Sequence, residues 1–174
     1  MELAIRITKE VNAKGKSSCL IITGSPDPHN EDSILYYESL RSLMKELNIE
    51  DRVIFLSEER DRGRRIKVGD NLLRDFYLLS DLLLFPSKQE GFGIPVLEAG
   101  ISHLPVACSS IESLKEVGGG EVLYLDLNDS VENMADAIIE YLEKDLRLPL
   151  FKKVMRNYTW ESIFSKFSHT FKVE

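Results

Sequence analysis

The sequence predicts an α/β protein, a doubly wound parallel sheet with helices on both faces. Three observations lead there. Short apolar, β-branched runs alternate with amphipathic stretches in a regular order along the chain. The runs are continuously apolar instead of alternating polar and apolar, as expected of strands buried on both sides. The segments between them have helical period, and right-handed crossovers then distribute helices over both faces.

The elements follow in chain order. Residues 2–13 carry Leu3, Ile5, Ile7 and Val11 between charges and predict a helix, stopped by Gly15 in Lys14-Gly15-Lys16. Residues 18–23 (SCLIIT) are a buried strand ended by Gly24-Ser25-Pro26. Residues 34–47 place Leu35, Leu40, Leu43, Met44 and Leu47 at helical spacing, with Asp32 or Ser33 as cap. Residues 52–56 (RVIFL) are the second strand, followed by a charged loop at 57–68 (SEERDRGRRIKV). A helix over 70–79 leads to a strand at 81–85, which Pro86 stops. A loop at 87–93 enters a helix from about Pro95 to Ser102. Residues 105–108 (PVAC) are a fourth strand, 111–117 a short helix ended by three glycines, and 121–125 a fifth strand. Helices over 130–142, 147–157 and 159–171 complete the chain.

Composition narrows the function classes. The chain has 174 residues, 43% hydrophobic and 29% charged, enough to bury a core and unlike a disordered or fibrous chain. Its formal charge of −7 argues against nucleic acid or an anionic membrane as the main partner. The apolar runs fall short of the roughly 20 residues of a membrane helix, and the run at 79–85 contains Asp81. No basic start with an apolar stretch marks a secretory signal. Cys19 and Cys108 both lie in apolar runs and read as buried small hydrophobes in a reducing compartment, so a cytoplasmic location is expected.

Sheets of this kind bind ligands outside the carboxyl ends of their strands. The loop after Phe85 is the most informative, reading FPSKQEGFGIPVLEAG over 85–100. Gly91 and Gly93 allow backbone to approach a ligand, and Pro95 suits a first helical turn. The free N–H groups of that turn, with the helix dipole, suit a phosphate. Glu90 precedes the turn and Glu98 lies about one turn into the helix, and a turn spans roughly 5.4 Å. Carboxylates there would accept hydrogen bonds from sugar hydroxyls, so the spacing suits a nucleotide sugar. On spacing alone, an ordinary strand–loop–helix turn with Glu98 as a surface charge accounts for the same residues. His29, His103 and His169 are scattered, and no metal site is expected.

The segment SKQEGFGIPVLEAG resembles the donor-binding signature of the GT-B retaining glycosyltransferases of family 4, with Glu90 and Glu98 at the family's spacing. The likeness extends to residues 48–55, to Leu104-Pro105-Val106-Ala107, and to 113–117 with Glu116 and the following glycines and strand. It implies a Rossmann-like domain, 1–174, forming the C-terminal, donor-binding half of such an enzyme, with the helices of about 130–171 packing on the sheet or toward a missing N-terminal domain. By position, Glu90 would hold the transferred hexose at the reaction centre, as the catalytic carboxylate. Backbone around Gly91, Phe92 and Gly93 would contact the hexose or the diphosphate. Ile94, Pro95, Val96 and Leu97 would line the phosphate and ribose, and Glu98 would bind the ribose hydroxyls. Ser57, opening the loop after Leu56, would meet the base, and Gly24, after the first strand, would line the donor cleft. The resemblance implies retention of anomeric configuration, no metal and no other cofactor. It further implies a nucleotide-sugar donor and an N-terminal acceptor-binding domain, in the same chain or a partner, through which any peripheral membrane contact would run.

The departures are specific. His103 stands where the family commonly has glycine, and reads as a surface helix-end residue. The loop with Arg60, Arg62, Arg64, Arg65 and Lys67 is long and reads as solvated, or as reaching toward an acidic acceptor or the diphosphate. The family's first, central strand, with its Arg and Lys, has no counterpart before Glu2. Its place is expected to be closed by pairing of the flanking strands, by a strand from another copy in a homo-oligomer, or by an upstream segment. Two other functions remain: a non-catalytic sugar-nucleotide-binding or interaction module, and a nucleotide-sugar epimerase of GT-B type. The Glu90–Glu98 pair with Gly-Phe-Gly favours transferases over epimerases.

Overall fold

The computed structural model describes residues 1–61, 63–66, 68–144 and 147–167. The chain is α/β, with short parallel strands and flanking helices. It divides into two compact units, Met1–Leu73 with Asn128–Ile139, and Arg74–Leu127 with the chain from Glu140 onward.

In the first unit, α1 (Glu2–Ala13), β1 (Leu20–Ile22), α2 (Glu31–Glu46) and β2 (Val53–Phe55) follow in order. β1 and β2 run parallel, with Leu20 opposite Val53 and Ile22 opposite Phe55. Ile5 from α1, Tyr37, Leu40, Leu43 and Met44 from α2, and Ile22, Val53 and Phe55 from the strands share one core. Burying each such side chain contributes about 1.5–3 kcal/mol. α2 begins at Glu31, three residues before the expected start. Its cap is Asn30, whose Oδ1 accepts the Ser33 N–H at 3.2 Å, and not Asp32 or Ser33. The exposed first turn of α2 carries no apolar residue before Ile34, so the hydrophobic period starts late. The expected charged loop also contains structure. β3 (Arg60–Asp61) and β4 (Arg64–Arg65) pair antiparallel about Gly63, whose φ is 82°. Arg62 and Lys67 lie outside the described residues.

In the second unit, β5 (Leu83–Phe85), β6 (Val106–Ser109) and β7 (Leu123–Leu125) form a parallel sheet in that order. α3 (Asp70–Leu79) leads into β5, α4 (Ile94–Ile101) joins β5 to β6, and α5 (Glu112–Gly118) joins β6 to β7. α6 (Val131–Leu142), which belongs to the first unit up to Ile139, precedes α7 (Arg147–Asn157) and α8 (Trp160–Phe167). Residues 168–171 of the expected last helix lie outside the described residues. β6, the middle strand, is buried along its whole length. Val96, Ala99, Leu104, Val106, Cys108, Leu114, Val117, Leu150 and Val154 form the core around it.

Three helices end in the same hydrogen-bonded motif, each with a left-handed residue after the cap. After α1 it is Gly15, with φ 80°, as the sequence implies. After α2 it is Asn48, with φ 51°, and after α4 it is His103, with φ 57°. The His103 N–H donates to the Gly100 carbonyl (3.2 Å) and the Leu104 N–H to the Ala99 carbonyl (2.8 Å). His103 thus fills a glycine's position at an exposed helix end. Its ring stacks on Phe151 of α7, with centroids 3.9 Å apart. A stacked ring pair of this kind contributes about 0.5–1.5 kcal/mol, which offsets part of the cost of the left-handed backbone.

Cys108 meets the expectation and Cys19 departs from it. Both are free, but Cys19 is exposed and only Cys108 is buried. Burial pushes the Cys108 thiol up to about 11. Cys19 precedes β1, where the apolar run has not yet entered the core. No helix among the described residues is long and apolar enough to cross a membrane.

Two outcomes follow from this packing. At neutral pH iodoacetamide is expected to add once to the native chain, at Cys19, and twice after denaturation, as read by intact mass. Gly100 is where α4 meets α7. A Cβ there would lie 2.7 Å from Val154 Cγ2 and 3.1 Å from Leu150 Cγ. Gly100→Ala is expected to destabilise the chain by about 1–3 kcal/mol in urea unfolding.

Candidate functional site

The loop from Ser87 to Gly93 is tied to the second unit by two serine hydroxyls. Ser109, fully buried at the end of β6, donates from Oγ to the Ser87 carbonyl. Ser113 Oγ, in the first turn of α5, donates to the Glu90 carbonyl at 2.9 Å. Neither serine was singled out by its local sequence. Their partners lie 22 and 23 residues earlier in the chain, and only the packing of β6 and α5 brings them together.

At the end of the loop Gly93 takes φ 89° and ψ 36° and becomes the N-cap of α4. A Cβ there would lie 2.8 Å from Leu114 Cδ2, so both backbone angle and space require glycine. A Cβ at Gly91 would meet no atom within 4 Å, so its packing alone does not require glycine.

The donors around the helix start are arranged differently from a bare open turn. Pro95 has no N–H, and the Val96 and Leu97 N–H groups return to the Gly93 carbonyl at 3.0 and 3.4 Å. The N–H groups of Gly91, Phe92 and Gly93 instead converge on one oxygen, Oε1 of Glu90, at 3.1, 3.4 and 3.3 Å. Three successive N–H groups turned toward one point make a concavity suited to an anionic oxygen. The Glu90 carboxylate occupies it.

Glu98, half-buried on α4, has a different partner. Its Oε2 accepts the phenolic O–H of Tyr77, from α3, at 2.9 Å. Burial, and then the neighbouring Glu98 carboxylate, push the Tyr77 phenol above its usual range, so it remains a donor. Tyr77 was also missed, because nothing near it in sequence relates it to a residue 21 positions later.

The other expected residues are placed as follows. Phe92 and Ile94 are exposed, and Phe92 meets the Tyr158 ring edge-on at 6.3 Å. Val96 is fully buried in the core and its N–H is taken by the Gly93 carbonyl, so it does not line a ligand site as expected. Leu97 is partly buried against the same core and Pro95 is half-buried. Gly24 and Ser57 belong to the first unit, whereas Glu90 through Glu98 belong to the second. Ser57 Oγ lies 3.4 Å from the Tyr37 hydroxyl. Among the described residues no three His, Cys, Asp or Glu side chains are grouped to hold a metal ion.

The family model for glycosyl transferases group 1 matches residues 1–144. The chain belongs to that family. O-antigen chain mannosyltransferase RfbU of Salmonella typhimurium is 33% identical over 115 residues, covering 61% of this chain and 30% of that protein. Among solved structures, sucrose-phosphate synthase from Thermosynechococcus elongatus superposes with a TM-score of 0.75 at 22% identity, over 95% of this chain and 41% of that one. The C-terminal domain of a glycosyl transferase group 1 family protein from Francisella tularensis superposes with a TM-score of 0.68 at 20% identity, over 91% of this chain and 79% of that domain. The chain thus has the fold of a GT-B glycosyltransferase C-terminal domain. It spans about a third of the length of RfbU.

The glycine at the start of α4 generates a direct test. Gly93→Ala is expected to cost at least about 2 kcal/mol in urea unfolding, from the left-handed angle and the contact with Leu114 together. It should also disturb the converging N–H groups, seen as shifts of the 91–93 amide resonances.

Proposed function

We propose that this chain is the donor-binding half of a glycosyltransferase, which passes a hexose from a nucleoside diphosphate sugar to an acceptor hydroxyl with retention of configuration. The acceptor side would be supplied by a separate N-terminal domain, in one polypeptide or as a partner. The observation that carries the reading is the pair of half-buried glutamates with different surroundings on one loop and helix. Glu98 is held on α4 with one carboxylate oxygen engaged and the other open to accept from two ribose hydroxyls. Glu90 lies before the helix, on the concavity where the diphosphate and hexose would meet.

In this reading the donor displaces the Glu90 carboxylate from the three N–H groups. Those donors then take an oxygen of the diphosphate or hexose, and Glu90 turns to the hexose hydroxyls. The bond from the anomeric carbon to the diphosphate oxygen breaks, and its electron pair leaves with the diphosphate. The acceptor hydroxyl bonds to the anomeric carbon on the same face, releasing nucleoside diphosphate and a proton. The protein's part is positioning, together with N–H groups that stabilise the charge gathering on the diphosphate. That several relatives are named as mannosyltransferases supports a hexose as the transferred group.

Calorimetry with UDP and GDP tests the division of labour. Glu98→Ala is expected to weaken binding of the preferred diphosphate by about 10- to 150-fold, the loss of hydrogen bonds to a charged group. Glu90→Ala should leave that affinity undiminished, since it frees three donors and removes a carboxylate that repels phosphate, yet it should abolish turnover in the complete enzyme. Equal losses for the two variants, or diphosphate density away from the start of α4 in a crystal soak, would overturn the assignment.

A further inference from the structure

We propose that Tyr77 is a positioning residue for ribose recognition, holding the Glu98 carboxylate in the orientation that receives the two ribose hydroxyls. The inference rests on the reading of Glu98 as the ribose ligand and extends it to a residue outside the signature segment.

The geometry is a single strong constraint. A glutamate side chain on a helix rotates about three bonds, and an unpartnered carboxylate samples several orientations. Here the Tyr77 O–H donates to Glu98 Oε2 at 2.9 Å. The Tyr77 ring is partly buried and packs against the core around β6, so the donor is itself fixed. With one oxygen held from α3, the remaining lone pairs of Glu98 have a defined direction. A vicinal diol needs that arrangement, because its two hydroxyls must donate to one carboxylate together. The phenol adds no charge, and its raised pKa keeps its proton on through the working pH range. Tyr77 lies on α3 and Glu98 on α4, so the contact also joins the helices before and after β5.

The test compares ribonucleotides with their dideoxy forms on the full chain. Affinities for UDP and GDP, and for the 2′,3′-dideoxy form of whichever binds more tightly, are measured by calorimetry for the parent chain, Tyr77→Phe, Glu98→Ala and the double variant. The parent chain should prefer the ribonucleotide. Tyr77→Phe should lose about 3- to 10-fold in ribonucleotide affinity, less than Glu98→Ala because the ribose contacts are misdirected and not removed, with the dideoxy affinity unchanged. The double variant should bind no more weakly than Glu98→Ala alone, as expected when one residue acts through the other. A purely structural role would lower both affinities together, and a thermal melt of Tyr77→Phe separates loss of fold from loss of preference. If Glu98→Ala abolishes the preference and Tyr77→Phe keeps it, the role of Tyr77 is overturned while the ribose reading of Glu98 stands. If the parent chain shows no preference, or Glu98→Ala retains it, the ribose reading falls and this inference falls with it.

Discussion

The turn at Gly93 governs most of what surrounds the signature loop. The chain can pass from the loop into α4 only through a left-handed residue, and the side chain of Leu114 closes the space where a Cβ would sit. Once that turn is made, the Val96 and Leu97 N–H groups close on the Gly93 carbonyl. The three preceding N–H groups are left facing the other way. A single carboxylate then satisfies them, and α5, which supplies Leu114, also supplies the Ser113 hydroxyl that fixes the Glu90 carbonyl. The loop is thus determined by α5 and the end of β6 packed against it, more than by its own short-range preferences.

The two glutamates differ through their neighbours. Glu90 is held by backbone N–H groups of its own loop, at 3.1–3.4 Å, with one short bond and two long ones. Under the proposed function a ligand oxygen takes the place of this carboxylate, because the same donors serve either partner. Glu98 is held by a side chain from another helix at 2.9 Å. Two identical side chains eight residues apart therefore carry different freedom.

Much of this was legible in the sequence, and the reasons for the remainder are physical. The strand–helix alternation and the helices at residues 2–13, 70–79 and 147–157 were legible in the sequence, the first with its glycine stop. Gly15 was readable as a helix stop, because glycine advertises a left-handed angle. Asn48 and His103 adopt the same angle without the same signal. The hairpin of β3 and β4 was hidden by charge, since each strand has only two residues and neither shows a period. Cys19 was misplaced because an apolar run was equated with burial along its whole length. Within the site, Glu90, Gly93, Pro95 and Glu98 stood out by type and spacing. Tyr77, Ser109 and Ser113 could not, since each acts across more than 20 residues of chain. The signature also implied open N–H groups, and the structure shows that three of them already hold a carboxylate.

α4 is anchored along its length. Gly93 is pressed on α5 at its start, Gly100 lies against Val154 and Leu150 of α7 near its end, and His103 stacks on Phe151 just beyond. The loop before it is fastened at two carbonyls, while Phe92 and the side chains of Lys88 and Gln89 face solvent. Stiffness and tolerance to sequence change are accordingly divided within a dozen residues. A lineage can alter the exposed loop positions, and so the shape presented at the concavity, without unsettling the helix that bears Glu98. Under the proposed function, the hexose contact is then open to change by substitution while the ribose contact at Glu98 is kept.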